Sequence, residues 1–196
     1  MRNGLLVGIL AAFSCQASVL LSENFNGVTP GTYSSGAIGA FNVIAGSVDV
    51  VGGSFFGSLC VGSETVNCVD LSGNNAGTIA TSLLTLPAGA YTLTFSLNGS
   101  QRGVATSATV SLDSFYTETF NLASADLNSI TRTFNIATPS TATLQFQSNT
   151  AGNTGALLDN VTLSNNINAV PEPSAIFLFT AGAAGLALLR RRVRSS

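Results

Sequence analysis

Carboxylates dominate the side chains that could do chemistry between residues 18 and 170. This segment has eight acids against two basic residues, Arg102 and Arg132, and a net charge of −6. The chain has no histidine, so the commonest acid–base side chain is missing and Ser-His or Cys-His nucleophilic catalysis is excluded. The segment also has no lysine, which excludes Schiff-base chemistry. The eight acids also lie singly in the sequence rather than in the pairs that hydrolyse glycosides. We therefore predict a protein that is not an enzyme. The acids are Glu23, Asp49, Glu64, Asp70, Asp113, Glu118, Asp126 and Asp159.

Cys60 and Cys68 lie eight residues apart. If the chain is exported, as its two ends discussed below predict, such an even pair indicates a disulfide that closes a small loop. The competing interpretation is a metal site, but two cysteines without any histidine make a poor zinc site.

Four aromatic residues are candidates for sugar contacts, because flat rings pack on the apolar faces of sugars. The chain has no tryptophan, so the candidates are tyrosine and phenylalanine. The alternative for each is ordinary core packing. The four are Tyr33, Phe55, Phe56 and Tyr116.

The elements that must position these residues are β-strands. Apolar and polar residues alternate without a fault from 91 to 97, and glycine, asparagine and proline separate the alternating segments. This pattern, with no helical stripe between strands, predicts antiparallel strands in an all-β fold, a two-sheet sandwich of the jelly-roll type. The segments are 41–51, 78–86, 91–97, 108–112, 130–136, 142–146 and 157–163.

Asp159 lies within the last of these segments, in the side-chain phase of Leu157, Val161 and Leu163. If that face is inward, the carboxylate must be paired, metal-bound or neutralised. Calcium binds carboxylate and carbonyl oxygens, and Glu23 and Asn26 are plausible further ligands. The alternative is that Asp159 caps a turn or accepts hydrogen bonds from backbone amides.

Glu118 shares the phase of Tyr116 and Phe120, and Arg132 shares that of Phe134. If they lie on neighbouring strands, the two charges can pair across the sheet. We expect this pair to be structural.

Four short segments, 23–27, 47–51, 69–73 and 157–161, together resemble the galactose-binding-like jelly rolls, the architecture of many carbohydrate-binding modules. The resemblance implies a structural calcium held by the opening acid and by the aspartate near the last strand. Asn26 stands where many members of that group have an acid.

The N-terminus has the features of a signal peptide. Arg2 precedes an apolar run from 4 to 13, and small residues at 14–17 place the cleavage after Ala17. Lipid attachment at Cys15 is the alternative, which bulky Phe13 disfavours.

The C-terminus combines a short motif, an apolar helix and a basic cluster. The motif is Val170, Pro171, Glu172, Pro173 and Ser174. Uncharged residues follow from 175 to 189, and after them comes the basic cluster of Arg190, Arg191, Arg192 and Arg194. We predict a transmembrane helix over 175–189, although its roughly 22 Å falls short of the roughly 30 Å hydrocarbon core. The arginines would stay cytoplasmic and the preceding chain outside.

This order of features resembles the PEP-CTERM sorting proteins of Gram-negative bacteria. The resemblance covers the tail and implies an exosortase-type membrane transpeptidase as partner, with processing at 170–174, and an association with exopolysaccharide. The resemblance implies a sorting signal, and it implies no activity for the domain that carries this signal.

The resulting organisation is a signal peptide over 1–17, a β-sandwich domain over 18–164, a linker over 165–169 and a sorting segment over 170–196. We predict an exported protein of the cell surface or extracellular matrix that binds no nucleic acid, because the domain lacks the basic groups which that requires. Two functions stay open for the domain: a carbohydrate-binding module for exopolysaccharide, or a purely structural matrix or adhesion subunit.

Overall fold

A computed structural model describes residues 16–61 and 67–167. The predicted signal peptide, apart from its last two residues, lies outside the described residues, as do the sorting motif, the transmembrane helix and the basic tail. Within the described ranges no helix is long and apolar enough to cross a membrane. The β-domain spans Ala17–Asn166 as one compact unit.

Fifteen strands and one 3-10 turn, Gly57–Leu59, make up the regular structure of the described residues. The alternating segments of the sequence are all found as strands, which confirms the all-β prediction. The strands are β1 Gln16–Glu23, β2 Gly31–Tyr33, β3 Gly36–Ile38, β4 Phe41–Ala45, β5 Val48–Gly52, β6 Asn67–Asp70, β7 Thr78–Thr81, β8 Leu84–Leu86, β9 Gly89–Asn98, β10 Thr106–Leu112, β11 Tyr116–Leu122, β12 Ser129–Ile136, β13 Ser140–Ala142, β14 Leu144–Ser148 and β15 Leu157–Ile167.

Two sheets form the sandwich. Sheet A has the order β12-β9-β15-β6-β5-β2, and β1 also pairs with β15. Sheet B has the order β11-β10-β14-β7-β4-β3, and β8 and β13 form a separate small ribbon. The pairs of known register in both sheets are antiparallel, so the two-sheet antiparallel sandwich is confirmed.

The core lies between the sheets, where alternate side chains of each strand meet. On β9, Tyr91, Leu93, Phe95 and Leu97 are all fully buried, while the residues between them face outward. The ring of Phe95 packs edge to face on Phe146 of the opposite sheet, with centroids 5.4 Å apart. Burial of such side chains is the main stabilising term of the domain.

The outward-facing residues on neighbouring strands of both sheets are mostly uncharged hydroxyl and amide side chains. Thr119, Thr109 and Gln147 form one row across sheet B, and the first two share a hydrogen bond of 2.9 Å. Thr131, Thr94 and Thr162 form the matching row across sheet A. Few of the domain's charges therefore lie on these sheet faces.

Cys60 and Cys68 form the predicted disulfide, with their Cα atoms 5.7 Å apart. Cys68 lies on the outer face of sheet A, where it is buried with Val51 and Leu157 in a small second cluster. Leu59 and Cys60 pack against this cluster, so the disulfide holds the segment after β5 on the sheet.

Four boundaries differ from the sequence prediction. The segment 41–51 is divided into β4 and β5 by a turn at Gly46, 78–86 is divided into β7 and β8, and 142–146 is divided between β13 and β14. At Gly46 the backbone has φ +61°, and a Cβ atom would lie 1.8 Å from the carbonyl oxygen of Ala76. Strand β15 continues to Ile167, so Asn165 and Asn166, which we placed in the linker, belong to the sheet, and Asn165 donates a hydrogen bond of 3.0 Å to the hydroxyl of Tyr91.

Candidate functional site

Loops that follow the ends of several strands meet at one end of the sandwich, which we call the groove end. The loop over 99–105 pairs with the loop over 123–128: Gly99 N–H donates to the carbonyl of Asp126 and Gln101 N–H to that of Ser124, both at 2.9 Å. A Cβ atom on Gly99 would lie 1.9 Å from the carbonyl oxygen of Ala123. Glycine at 99 therefore permits the close approach of the two loops.

An open groove of about 570 Å³ lies beside these loops. It is lined by residues 105–107 at the start of β10, by 121–123 at the end of β11, and by Asn149 and Thr150 after β14. None of these lining residues is ionisable. The groove thus presents amides and hydroxyls beside the apolar side chains of Leu122 and two alanines.

Hydrogen bonds hold the polar wall of the groove in place. The Asn149 side-chain amide donates to the Thr109 hydroxyl at 2.8 Å, and the Ser107 N–H donates to the Thr150 hydroxyl at 2.8 Å. The exposed Asn121 lies opposite Ser107 in the β10–β11 register. The wall is therefore preorganised, while Asn121 faces solvent.

Thr106 lines the groove and is 4 % exposed. Its Oγ1 is buried and has no hydrogen-bond partner within residues 16–61 and 67–167. A buried hydroxyl without a partner costs about 1 to 3 kcal/mol, so this atom is an unmet hydrogen-bonding group at the groove.

Asp70 and Arg102 form an ion pair at the same end of sheet A. Asp70 also accepts hydrogen bonds from the N–H groups of Ser72 at 2.8 Å and Gly155 at 2.9 Å. Burial raises the pKa of Asp70 to about 6, against the lowering effect of those N–H groups and of Arg102. The pair fixes the 99–105 loop on the sheet.

Glu118 and Arg132 pair as the sequence predicted, at 2.6 Å and 2.7 Å between nitrogen and oxygen. They lie on β11 and β12, which are the edge strands of different sheets, so the predicted pairing across one sheet is wrong and the pair instead joins the two sheets. The Arg132 guanidinium holds the pKa of Glu118 below its usual range. Tyr116 donates a hydrogen bond of 2.7 Å to Glu118, and burial raises the tyrosine's pKa.

The four predicted aromatic contacts do not line the groove. Tyr33 packs partly on the core, and its hydroxyl donates to the Thr29 carbonyl at 2.7 Å. Tyr116 is half-buried and stacks on Phe134, with centroids 6.0 Å apart. Phe55 and Phe56 contact each other at 5.0 Å, and Phe56 is 55 % exposed. Their role in sugar binding stays a prediction, and Phe56 presents the most accessible ring.

The predicted calcium ligands accept hydrogen bonds from backbone N–H groups. Glu23 accepts from Phe25 at 2.7 Å and from Ala40 at 2.6 Å. The side-chain oxygen of Asn26 accepts a hydrogen bond of 3.1 Å from the N–H of Asn67. A carboxylate oxygen of Asp159 accepts one of 2.7 Å from the N–H of Asn160. Among the residues that the structure describes, no group of three or more Cys, Asp or Glu side chains could hold a metal.

Asp159 is buried, but the phase argument for it was wrong. A bulge lies between Asp159 and Thr162, and Asn160 has φ +51°. The bulge reverses the side-chain phase, so Val161 joins the main core while Leu157 packs in the small outer cluster. Calcium binding stays a prediction: calcium-dependent heat in isothermal titration would support it, and the absence of heat would remove it.

The groove residues were missed by the sequence reasoning. They come from three segments separated by more than ten residues each, and none has a side chain that marks a site by its charge. The one available signal was the position of Asn121 and Asn149 at strand ends, beside loops.

Residues 169–192 match the PEP-CTERM protein-sorting motif. The C-terminal segment therefore carries a signal for export and sorting to the cell surface, as the sequence predicted. No curated protein is significantly similar to this chain.

Several solved structures are similar to the domain at low identity. The CBM35 of Cellvibrio japonicus Abf62 is 12% identical with a TM-score of 0.45, over 78% of this chain and 95% of that one. A family 35 carbohydrate binding module from Clostridium thermocellum is 11% identical with a TM-score of 0.42, over 76% and 97%. The K1 cleaved adhesin domain of Lys-gingipain from Porphyromonas gingivalis W83 is 15% identical with a TM-score of 0.49, over 78% and 99%. With TM-scores below 0.5, these similarities do not indicate a ligand for this chain.

Proposed function

We propose that this protein is delivered to the cell surface or extracellular matrix by its sorting tail and there binds polysaccharide without catalysis. The proposal rests on the groove, which is open to solvent, has a volume of about 570 Å³ and is lined by amides, hydroxyls and apolar carbons. This volume lies within the range of ligand sites, and an open groove suits a polymer that continues beyond it. The sorting motif supports the location.

Charge distribution supports binding rather than catalysis. A general acid or base must reach the proton that it transfers, and no groove residue can ionise. Asp70 and Glu118 instead form ion pairs, Asp70 with Arg102 and Glu118 with Arg132.

Affinity gel electrophoresis of the full-length protein tests the binding. The gel contains exopolysaccharide from the native host, and the variants are Asn121→Ala and Asn149→Ala in the groove. Asn135→Ala is the matched control, since Asn135 is an exposed asparagine near the other end of edge strand β12. Retardation that the groove variants weaken and the control retains supports the proposal; equal retardation of all variants contradicts the groove as the site.

Phe56→Ala and Tyr33→Ala in the same gel test the predicted aromatic contacts. Phe56 is exposed and Tyr33 is tied to the core, so a loss of retardation with Phe56→Ala and unchanged folding would identify a second contact surface.

Sorting is tested separately on the protein from its native host. We propose that an exosortase-type transpeptidase processes the chain at 170–174, after the membrane helix has held it at the inner membrane. Mass spectrometry of the C-terminus should show an end or an adduct between Pro171 and Ser174; an intact Ser196 would contradict processing.

The second candidate is a structural subunit of the matrix. The uncharged outer faces of both sheets favour it, because rows such as Thr119–Thr109–Gln147 and Thr131–Thr94–Thr162 offer many hydrogen-bonding groups without a defined site. A structural subunit should show no retardation in the polysaccharide gel.

A further inference from the structure

The contacts of the domain's two arginines indicate whether its ligand is charged or uncharged. This inference rests on the proposed polysaccharide binding. Arg102 and Arg132 are the basic residues between 18 and 170. Arg102 is paired with the buried Asp70, and Arg132 forms two hydrogen bonds with Glu118 and lies 5.6 Å from the Phe120 ring centroid. Within the described ranges, both arginines are therefore engaged in ion pairs with carboxylates of the domain itself.

The net negative charge of the domain also opposes the binding of an anionic polymer. With a net charge of −6 over 18–170, the domain repels a polyanion. The groove also contains no ionisable side chain of either sign. Recognition there must come from neutral hydrogen bonds and from contact between apolar carbons.

The groove has the groups that such recognition needs. The amides of Asn121 and Asn149 and the hydroxyl of Ser107 can bond sugar hydroxyls, while the exposed Ala105 and Ala123 offer apolar surface to sugar C–H groups. Thr106 also lines the groove, but its Oγ1 is buried and the residue shares the inward face of β10 with Ala108 and Val110, so this hydroxyl is not available to a ligand.

We propose that the groove is a subsite for an uncharged glycan, and that the hydroxyl of Ser107 is one of its hydrogen-bonding groups. Anionic polysaccharides are excluded from it by the engagement of both arginines in ion pairs within the domain and by the charge of the domain.

The test compares neutral and anionic probes in affinity gels with the full-length protein. The neutral probes are dextran and an unsubstituted galactan, and the anionic probe is alginate of similar length. We expect retardation by a neutral probe, none by alginate, and no change between about 0.01 and 0.15 M salt, because screening acts on charged pairs.

Ser107→Ala removes this hydroxyl. It should weaken retardation by the neutral probe about fivefold, the value of one hydrogen bond, while the melting temperature changes little because Ser107 is only partly buried. Thr133→Val, at an exposed position on the outer face of sheet A, should leave retardation unchanged.

The outcomes separate the two proposals. Retardation by alginate alone, or Ser107→Ala that folds and binds as well as Thr133→Val, would overturn this inference and leave polysaccharide binding standing. No retardation by dextran, galactan, alginate or host exopolysaccharide would overturn both.

Discussion

Replacing Asp70 by asparagine should flatten the dependence of the unfolding free energy on pH. Burial, with a smaller contribution from the nearby Asp49, raises the pKa of Asp70 from 3.8 to about 6, against the lowering effects of Arg102 and of the N–H groups of Ser72 and Gly155. A carboxyl whose pKa is raised by folding binds its proton more tightly in the folded protein. Its contribution to stability is therefore fully present below about pH 3.8 and is lost as pH rises through about 6.

The size of the effect follows from the two pKa values. The difference between 3.8 and about 6 corresponds to about 3 kcal/mol, most of it between about pH 4 and pH 7. For a domain of this size that is about 6 to 12 °C in melting temperature. Asparagine retains an oxygen for the two N–H donors and cannot ionise.

The assay is urea unfolding of the wild type and Asp70→Asn at several pH values. The wild type should gain about 3 kcal/mol relative to the variant between about pH 8 and pH 4. Taking the difference between the two proteins removes the contributions of the other carboxyls. Asp113→Asn, at an exposed position, reports the general effect of losing one negative charge.

A second variant tests the cause. Arg102→Met removes a cation that lowers the pKa of Asp70, so the stability transition should move to higher pH. A free-energy difference between wild type and Asp70→Asn that stays constant within about 1 kcal/mol, or that falls on acidification, would refute the reasoning.

Three further changes test the supports of the groove and the sandwich. Gly99→Ala should lower the melting temperature and weaken polysaccharide retardation, because its Cβ would meet a carbonyl oxygen at 1.9 Å; Gly27→Ala, with nothing within 4 Å, is the control for both measurements. Glu118→Gln should cost no more than about 1 kcal/mol in urea unfolding, because its pair with Arg132 is partly exposed, and a larger loss would contradict that estimate. Cys60→Ser should cost about 2 to 3 kcal/mol in urea unfolding by opening the disulfide loop, and unchanged stability would show that the loop is held by packing alone.

Alternation predicted the strands well, because a half-buried strand repeats every two residues. The segment 91–97 contains Tyr91, Leu93, Phe95 and Leu97, all of which lie in the core. The same rule failed where the backbone breaks the period. The bulge at Asn160 reversed the phase of β15, and the turn at Gly46 divided one apolar run into two strands of different sheets.

Contacts between distant segments were predictable only in part. Glu118 and Arg132 could be paired by phase and charge, but the sequence does not say that β11 and β12 lie in different sheets. The groove was not predictable, because Asn121 and Asn149 become neighbours of Ser107 only after β11, β10 and β14 pair. The sorting motif was recognisable because it depends on local sequence.

Strand β15 connects the groove end of the sandwich to its opposite end. It begins at Leu157 beside the groove end and runs through eleven residues to Ile167, and the matched sorting motif begins at residue 169. At roughly 3.3 Å per residue the strand is about 35 Å long. Within the described domain, the groove end and the last residues of β15 therefore lie at opposite ends of one strand, so the groove lies about one strand length from the end of the sandwich at which the described chain stops.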